Sequence, residues 1–347
     1  MASNIYQHCP ICSKPILYSE RYPRAVCETC YDKACDAHGR KLSFSNVSID
    51  GGFNAVVTDT QEEYQSHTCY VEGVECWADE ARFGGIVLVV MPKYLFSRFQ
   101  ANEIESLHRE LFKVLNISQD QLQALYKVMQ QEFEVGGYPE HTLPRNIFHS
   151  HDESFQKRYE EALVVGVDIP SLFERDDNIS SKKTVIIFGQ DPLRKSNKRV
   201  EEIGIATPYA LHLKDCREKL RNTRLYFDLI KVLLDAGYRV YLTDISKVWV
   251  SEANCDRGIP LSKQDHARFI QVLEAESKIF EPVAVITWGQ VASKAIKSIN
   301  LNVKHLEFPH PSGAANGTWR KLMGKPATRE NRINYWRQEV FAYLSRL

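Results

Sequence analysis

The chain has 347 residues, 44% hydrophobic and 25% charged, with a formal net charge of zero. That is the make-up of an ordinary globular protein with room for one large domain or two unequal ones. Its longest apolar run, Ile86 to Met91, is too short to span a bilayer. The opening segment Met-Ala-Ser-Asn-Ile-Tyr lacks the basic-then-apolar layout of a signal peptide, so a cytoplasmic location and no membrane partner are expected. The zero net charge hides an asymmetry: residues 1–180 hold 16 Lys and Arg against 27 Asp and Glu, and residues 181–347 hold 28 against 17. A basic half suits contact with phosphates, while the acidic half must face elsewhere.

In a reducing compartment the nine cysteines are expected as metal ligands or buried thiols, not disulfides. Cys9-x2-Cys12 and Cys27-x2-Cys30, fourteen residues apart, present four thiolates that can close tetrahedrally on one zinc ion. So short a segment buries no core alone, and the metal would supply its folding free energy. This predicts a zinc ribbon with one structural Zn2+. Residues 42–91 alternate and contain Gly51-Gly52 and Gly84-Gly85, a β-rich extension that takes the first domain to 1–95. Cys35, Cys69, Cys76 and His38 match no metal spacing and read as buried thiols with a nearby histidine.

Residues 102–135 read as two helices. Leu107, Leu111 and Leu115 recur at helical spacing, Ser118 stands at a capping position, and Leu122, Leu125 and Val128 continue the pattern. With the His- and Pro-containing loop from Gly136 to Asp152, they make a helical connector over 96–154.

From 155 to 347 short apolar runs alternate with helical stretches. Strands are expected at Val185–Phe188, Tyr238–Leu242, Val283–Thr287 and Val303–Phe308. Helices are expected at about 215–236, 262–280, 289–299 and 328–346. Such alternation predicts an α/β fold, three layers αβα around a mainly parallel central sheet. Ligands of such sheets lie at the carboxyl ends of the strands. Those ends read Gly189-Gln190-Asp191-Pro192-Leu193-Arg194, Thr243-Asp244 with Lys247 behind, Trp288-Gly289-Gln290, and Phe308-Pro309-His310-Pro311-Ser312-Gly313.

Here the chain resembles the uracil-DNA glycosylase superfamily. Gly189-Gln190-Asp191-Pro192 looks like that family's water-activating loop, and His310-Pro311-Ser312 like its second motif. Trp288-Gly289 with Ala292 resembles the strand and helix before that motif, and 243–247 is similar to the base-reading strand. Each motif alone is short; their order and shared placement after strands are specific. The resemblance covers 155–347 and implies a monofunctional glycosylase acting on single- or double-stranded DNA. Hydrolysis of a glycosidic bond builds positive charge on the sugar and negative charge on the departing base. Asp191 would orient the water and offset the sugar charge, and a neutral His310 would donate to the leaving base. Gln190 would help read the base. Ser312 would hold a backbone phosphate, with Lys195, Lys198, Arg199, Arg320 and Lys321 as further phosphate contacts. Tyr209 is the expected stacking partner of the base. The wedge that fills the gap left by a flipped base is Trp319, Asn316 or absent.

Two departures bear on the substrate. Leu193 stands where the uracil enzymes have a tyrosine against the C5 edge. Asp244 stands where they have an asparagine. An ionised carboxylate accepts and does not donate, which suits the amine of cytosine and opposes uracil O4. Both changes favour a C5-modified cytosine, such as a hydroxymethylated or glucosylated base of phage DNA, and hence antiviral defence. A protonated or averted Asp244 would leave ordinary uracil repair open. A non-catalytic reader of modified DNA is a third reading, opposed by Asp191. The absence of a Gly-x4-Gly-Lys-Ser/Thr loop and of Gly-x-Gly-x-x-Gly opposes a nucleotide-processing enzyme.

Overall fold

Short alternating runs broken by glycines cannot build a thick core, and the first 93 residues form three small sheets around a modest one. The computed structural model describes all residues except 1–5, 20, 83, 177–182, 195–200, 222, 253–257, 300 and 347. The chain divides into two units, 1–93 and 94–347. In the first, β1 (Tyr6–His8) pairs with β2 (Pro15–Leu17), and α1 (Glu28–Tyr31) follows. Strand β3 (Leu42–Ser45) pairs with β4 (Asn54–Val57). Strands β5 (Thr68–Val71), β6 (Val74–Glu80) and β7 (Ile86–Val90) form an antiparallel meander. Cys69 and Cys76 face each other across β5 and β6, both fully buried, and burial pushes their thiols up to about 12 and about 11. They are packing residues, as their spacing implied.

The second unit contains β8 (Tyr94–Phe96), β9 (His141–Pro144), β10 (Val164–Asp168), β11 (Ser171–Arg175), β12 (Thr184–Gly189) and β13 (Glu202–Ala206). Strands β14 (Arg239–Asp244), β15 (Val248–Ser251), β16 (Ala284–Trp288) and β17 (Lys304–Phe308) follow. Its helices are α2 (Ala101–Leu111), α3 (Gln119–Glu132), α4 (Glu153–Glu161), α5 (Lys214–Glu218), α6 (Arg224–Asp235), α7 (Lys263–Phe280), α8 (Gln290–Lys297), α9 (Asn316–Met323) and α10 (Arg329–Leu344).

The main sheet has the order β17-β16-β12-β14-β11-β8. Strands β17, β16, β12 and β14 are parallel, and β11 is antiparallel to both β14 and β8. Every residue of β12, β14 and β16 is buried, as expected of parallel strands covered on both faces. After β12 the chain moves to β14 on one side, then crosses to β16 and β17 on the other. The direction of winding therefore reverses between β12 and β16, the point where open α/β sheets bind ligands.

A second sheet, β15-β10-β13-β9, mixes parallel and antiparallel pairs and was not anticipated from the sequence. Its strands are short, and Pro170 separates β10 from β11 after a single intervening residue, so no periodicity develops. The stretch 215–236 is two helices, with Thr223 Oγ1 donating to the Cys216 carbonyl at the break. Segment 96–154 is part of the larger unit: Leu107, Leu111, Leu122, Tyr126 and Met129 share one core with Ile186 and Leu242. Ser118 caps α3 as its position implied, accepting from Gln121 N at 3.2 Å while the Gln121 side chain returns to Ser118 N at 2.9 Å. The charge asymmetry does not follow the units. Residues 1–93 carry 8 basic and 12 acidic side chains and 94–347 carry 36 and 32, so the division at 180 runs through the larger unit. Among the described residues no helix is long and apolar enough to cross a membrane.

Candidate active site

The ends of β10, β12, β13 and β17 meet one cavity of about 1590 Å³, lined among others by Asp168, Gln190, Asp191, Leu193, Arg194, Tyr209, Tyr226, His310 and Ser312; Asp244 at the end of β14 lies behind this lining. Register sets Gly189 of β12 opposite Asp244 of β14, and Ile245 N and Ser246 N continue the ladder to the Gly189 and Gln190 carbonyls. The bare backbone of Gly189 is required by close approach. A Cβ there would lie 2.2 Å from Asp244 Oδ1 and 2.6 Å from Tyr209 Oη. The loop after β12 then crosses Gly166 of β10, where a Cβ would sit 2.4 Å from Arg194 Cγ and 2.7 Å from the Pro192 carbonyl. Arg194 Nη2 donates to Asp168 Oδ1 and latches this loop to the end of β10.

Asp191 is half-buried and accepts from Gln190 Nε2 at 2.8 Å. Burial raises its carboxyl above the ordinary value, the Gln190 bond lowers it less, and the Asp168 charge adds to the rise. Asp244 is 2% exposed, and its Oδ1 has no hydrogen-bond partner. Burial, with the carboxylates of Asp168 and Asp191, pushes Asp244 well above the ordinary range. Burial raises the Asp168 carboxyl too, but the Arg194 guanidinium and the neighbouring Asp244 side chain oppose that rise, so of the two Asp244 keeps its proton more readily. Of the two states the sequence leaves open for Asp244, ionised acceptor or protonated acid, burial beside two other carboxyls favours the protonated one.

His310 follows β17. Its Nδ1 lies 2.8 Å from Ser312 Oγ and accepts from Ser312 N at 3.3 Å. Accepting there leaves the proton on Nε2, which lies 3.3 Å from Tyr209 Oη. Burial lowers His310 to about 4, so the ring is a neutral Nε2–H donor at neutral pH. Ser312, expected to hold a phosphate, has its hydroxyl on the histidine. Trp319 is fully buried and its Nε1 donates to the His310 carbonyl at 2.9 Å, so it is no wedge. Asn316 is half-buried and accepts from Arg332 Nη1 at 3.2 Å, while the same guanidinium holds the Pro311 carbonyl at 2.9 Å.

Tyr209 lies on Tyr226 with ring centroids 4.1 Å apart, and its phenol is held neutral chiefly by burial. Tyr209 and Ala210 both have positive φ, 59° and 52°, a strained pair of the kind that marks functional turns. Leu193 lines the cavity and is 51% exposed. Lys247, noted beside Asp244, is fully buried; its Nζ donates to the Asp244 carbonyl at 3.0 Å and pairs with Glu276 at 3.0 Å. Arg320 and Lys321 are exposed on α9. Lys195, Lys198 and Arg199 lie outside the described residues.

No family model and no curated protein matches the chain.

Asp168 and Arg194 were missed in the sequence. Both carried a signal: Asp168 ends an apolar run two residues before a proline, and Arg194 closes the Gly-Gln-Asp-Pro-Leu-Arg segment. In the smaller unit Cys9, Cys12, Cys27 and Cys30 bring their sulfurs within 4.8 Å of one another, a group able to bind a metal ion. Cys12 Sγ and Cys27 Sγ are 3.5 Å apart, against roughly 3.8 Å for two thiolates on one tetrahedral zinc. Burial raises the Cys9 thiol, but N–H donors from Cys12, Cys27 and Ile11 outweigh it and bring it down to about 6.

Proposed function

We propose that the chain is a monofunctional DNA glycosylase of the uracil-DNA glycosylase type, with the αβα architecture of that family and a zinc ribbon held by Cys9, Cys12, Cys27 and Cys30. One observation carries the reading: at the carboxyl ends of parallel strands, a half-buried Asp191 and a neutral His310 donor line the same cavity. As the C1′–N bond of an extruded nucleotide breaks, its electron pair leaves with the base and positive charge develops on the sugar. Asp191 offsets that charge and takes a proton from the water whose oxygen bonds to C1′. His310 Nε2–H donates to the carbonyl oxygen on which the base's negative charge collects, and Tyr209 shapes the base pocket. The products are the free base and an abasic site. No lysine is assigned to a covalent intermediate.

The substrate proposed is a C5-modified cytosine, hydroxymethylated or glucosylated, as in invading phage DNA. The cavity of about 1590 Å³ exceeds the roughly 300–1,000 Å³ of ordinary ligand pockets, and Leu193 leaves the C5 edge uncrowded. With its proton directed to Asp168, Asp244 offers the unpartnered Oδ1 as acceptor for an exocyclic amine. The second reading, uracil repair, requires that proton to turn from Asp168 to the base, where a neutral carboxyl would present a donor and an acceptor as an amide does. Oligonucleotides bearing uracil, 5-hydroxymethylcytosine or its glucoside, treated with alkali after incubation, separate the readings. Cleavage lost in Asp191→Ala and slowed about a hundredfold or more in His310→Ala is expected. Binding without cleavage of any substrate would favour a reader, and cleavage of uracil alone would favour repair.

A further inference from the structure

Three side chains that the proposed reaction does not use meet in the larger unit: Glu132 at the end of α3, His141 at the start of β9, and His212. One ligand atom from each lies within 4.8 Å of the others. His141 and His212 both line the cavity. His141 Nε2 is 2.7 Å from Glu132 Oε1, and His212 Nε2 is 3.7 Å from Glu132 Oε2. That second separation is too long for a hydrogen bond, and Glu132 Oε2 is buried with no hydrogen-bond partner. A buried carboxylate oxygen left bare is costly, so the position asks for a cation.

The surroundings orient the group. His212 Nδ1 lies 2.9 Å from Thr207 Oγ1, which also accepts from the His212 backbone N–H at 3.4 Å. A hydrogen bond on the rear nitrogen, donated to Thr207, leaves the lone pair of Nε2 toward Glu132, the arrangement found behind metal-bound imidazoles. Buried Arg217 donates to the Leu211 carbonyl at 2.9 Å, to the His212 carbonyl at 3.1 Å and to the Phe133 carbonyl. It thus fixes the backbone at His212 and next to Glu132, and none of these bonds goes to the carboxylate. Two N or O ligands of one tetrahedral zinc lie roughly 3.3–3.6 Å apart. The 3.7 Å pair meets that spacing nearly as it stands, and the His141–Glu132 pair must open by less than about 1 Å.

We propose that Glu132, His141 and His212 bind one divalent transition-metal ion of the zinc type, with its remaining coordination open to the cavity. Two imidazoles and one carboxylate with a free position form a donor set that zinc takes in open sites, and the free position accepts water or a hydroxyl oxygen. The site is distinct from the four-cysteine group and stands whether or not the chain is a glycosylase.

The full chain, stripped with chelator and reloaded, gives the test. Zinc analysis is expected to find two ions per chain in the wild type and one in His141→Ala and Glu132→Gln. His141 is half-buried and Glu132→Gln is close to isosteric, so both variants should melt as the wild type does in the absence of metal. Cobalt(II) titration assigns the ions: the thiolate charge-transfer band belongs to the cysteines and must survive in both variants. The weaker nitrogen-and-oxygen cobalt spectrum must disappear. A wild type that saturates at one ion, or a second ion that persists in both variants, overturns the proposal.

Discussion

Replacing Gly189 with alanine tests whether the base pocket is built by close approach at a strand end. Gly189 lies in β12 without a positive φ, so alanine meets no backbone penalty there. The cost is steric. The new Cβ would stand 2.2 Å from Asp244 Oδ1, 2.6 Å from Tyr209 Oη and 3.3 Å from Tyr209 Cζ. Each oxygen must retreat by roughly 1 Å to reach van der Waals separation. Neither can do so freely: Asp244 is buried at a strand end, and Tyr209 is stacked on Tyr226 and within 3.3 Å of His310 Nε2. Overpacking of this kind costs about 1–3 kcal/mol, which in a unit of this size lowers Tm by roughly 2–12 °C. A shift of about 1 Å at a reacting group also costs about a hundredfold in rate. Thermal melts and single-turnover excision measure the two losses. The added change Tyr209→Phe removes the Oη overlap and should restore part of the stability, a coupling of about 0.5–3 kcal/mol in a double-mutant cycle. Wild-type melting and wild-type rate in Gly189→Ala would refute the convergence of Asp244 and Tyr209 on Gly189.

The pH dependence of excision should show a single acid limb. Asp191 must be ionised and its carboxyl is raised, while His310 stays neutral down to about 4; a second limb near neutral pH would mean that His310 works as a cation. Asp244 is raised above its ordinary 3.8, so the stability it contributes is fully present below 3.8 and is lost as pH rises through its folded value. Asp244→Asn should therefore melt higher than wild type at pH 7 and flatten that decline. Because the amide N–H can replace the proton shared with Asp168, it should leave base preference largely unchanged. Leu193→Tyr should select against bulky C5 substituents and spare an unsubstituted base, as read by competition between the two oligonucleotides. The double change Cys27→Ser, Cys30→Ser should remove the zinc of the four-cysteine group and unfold residues 1–93 without abolishing excision; full zinc retention would exclude those ligands.

The strand ends could be read in the sequence because a parallel sheet buries its strands on both faces. Each strand is then a short apolar run, and the next polar residues fall at the site. Asp191, Asp244 and His310 were all found that way. Asp168 was not: β10 is also a buried apolar run, but only Ile169 and Pro170 separate it from β11, so no helix marks Asp168 as a strand end. The charge on Asp244 was also beyond reach: it depends on a carboxyl from that unread strand and on the latch from Arg194. Trp319 offered an aromatic residue at a plausible wedge position, but only the path of α9 shows that its ring is buried and its Nε1 faces the His310 carbonyl. The left-handed turn at Tyr209 has no glycine to announce it.

The electrostatics of the site follow from where one proton sits. Asp168, Asp191 and Asp244 crowd the ends of β10, β12 and β14, two of them buried and one half-buried, where three anions together would be strongly unfavourable. Arg194 neutralises Asp168, and the proton shared between Asp168 and Asp244 neutralises Asp244. Lys247 does not add a free positive charge, since Glu276 is its buried partner. His310 is neutral. Of these groups only Asp191 retains an unbalanced charge, and its raised pKa, due chiefly to burial, limits how firmly it holds that charge. A developing cation on a sugar would relieve this penalty, so the attraction of Asp191 grows as the glycosidic bond stretches. In the proposed reaction, the same burial that disfavours the carboxylate at rest would make it selective for the transition state over the neutral substrate.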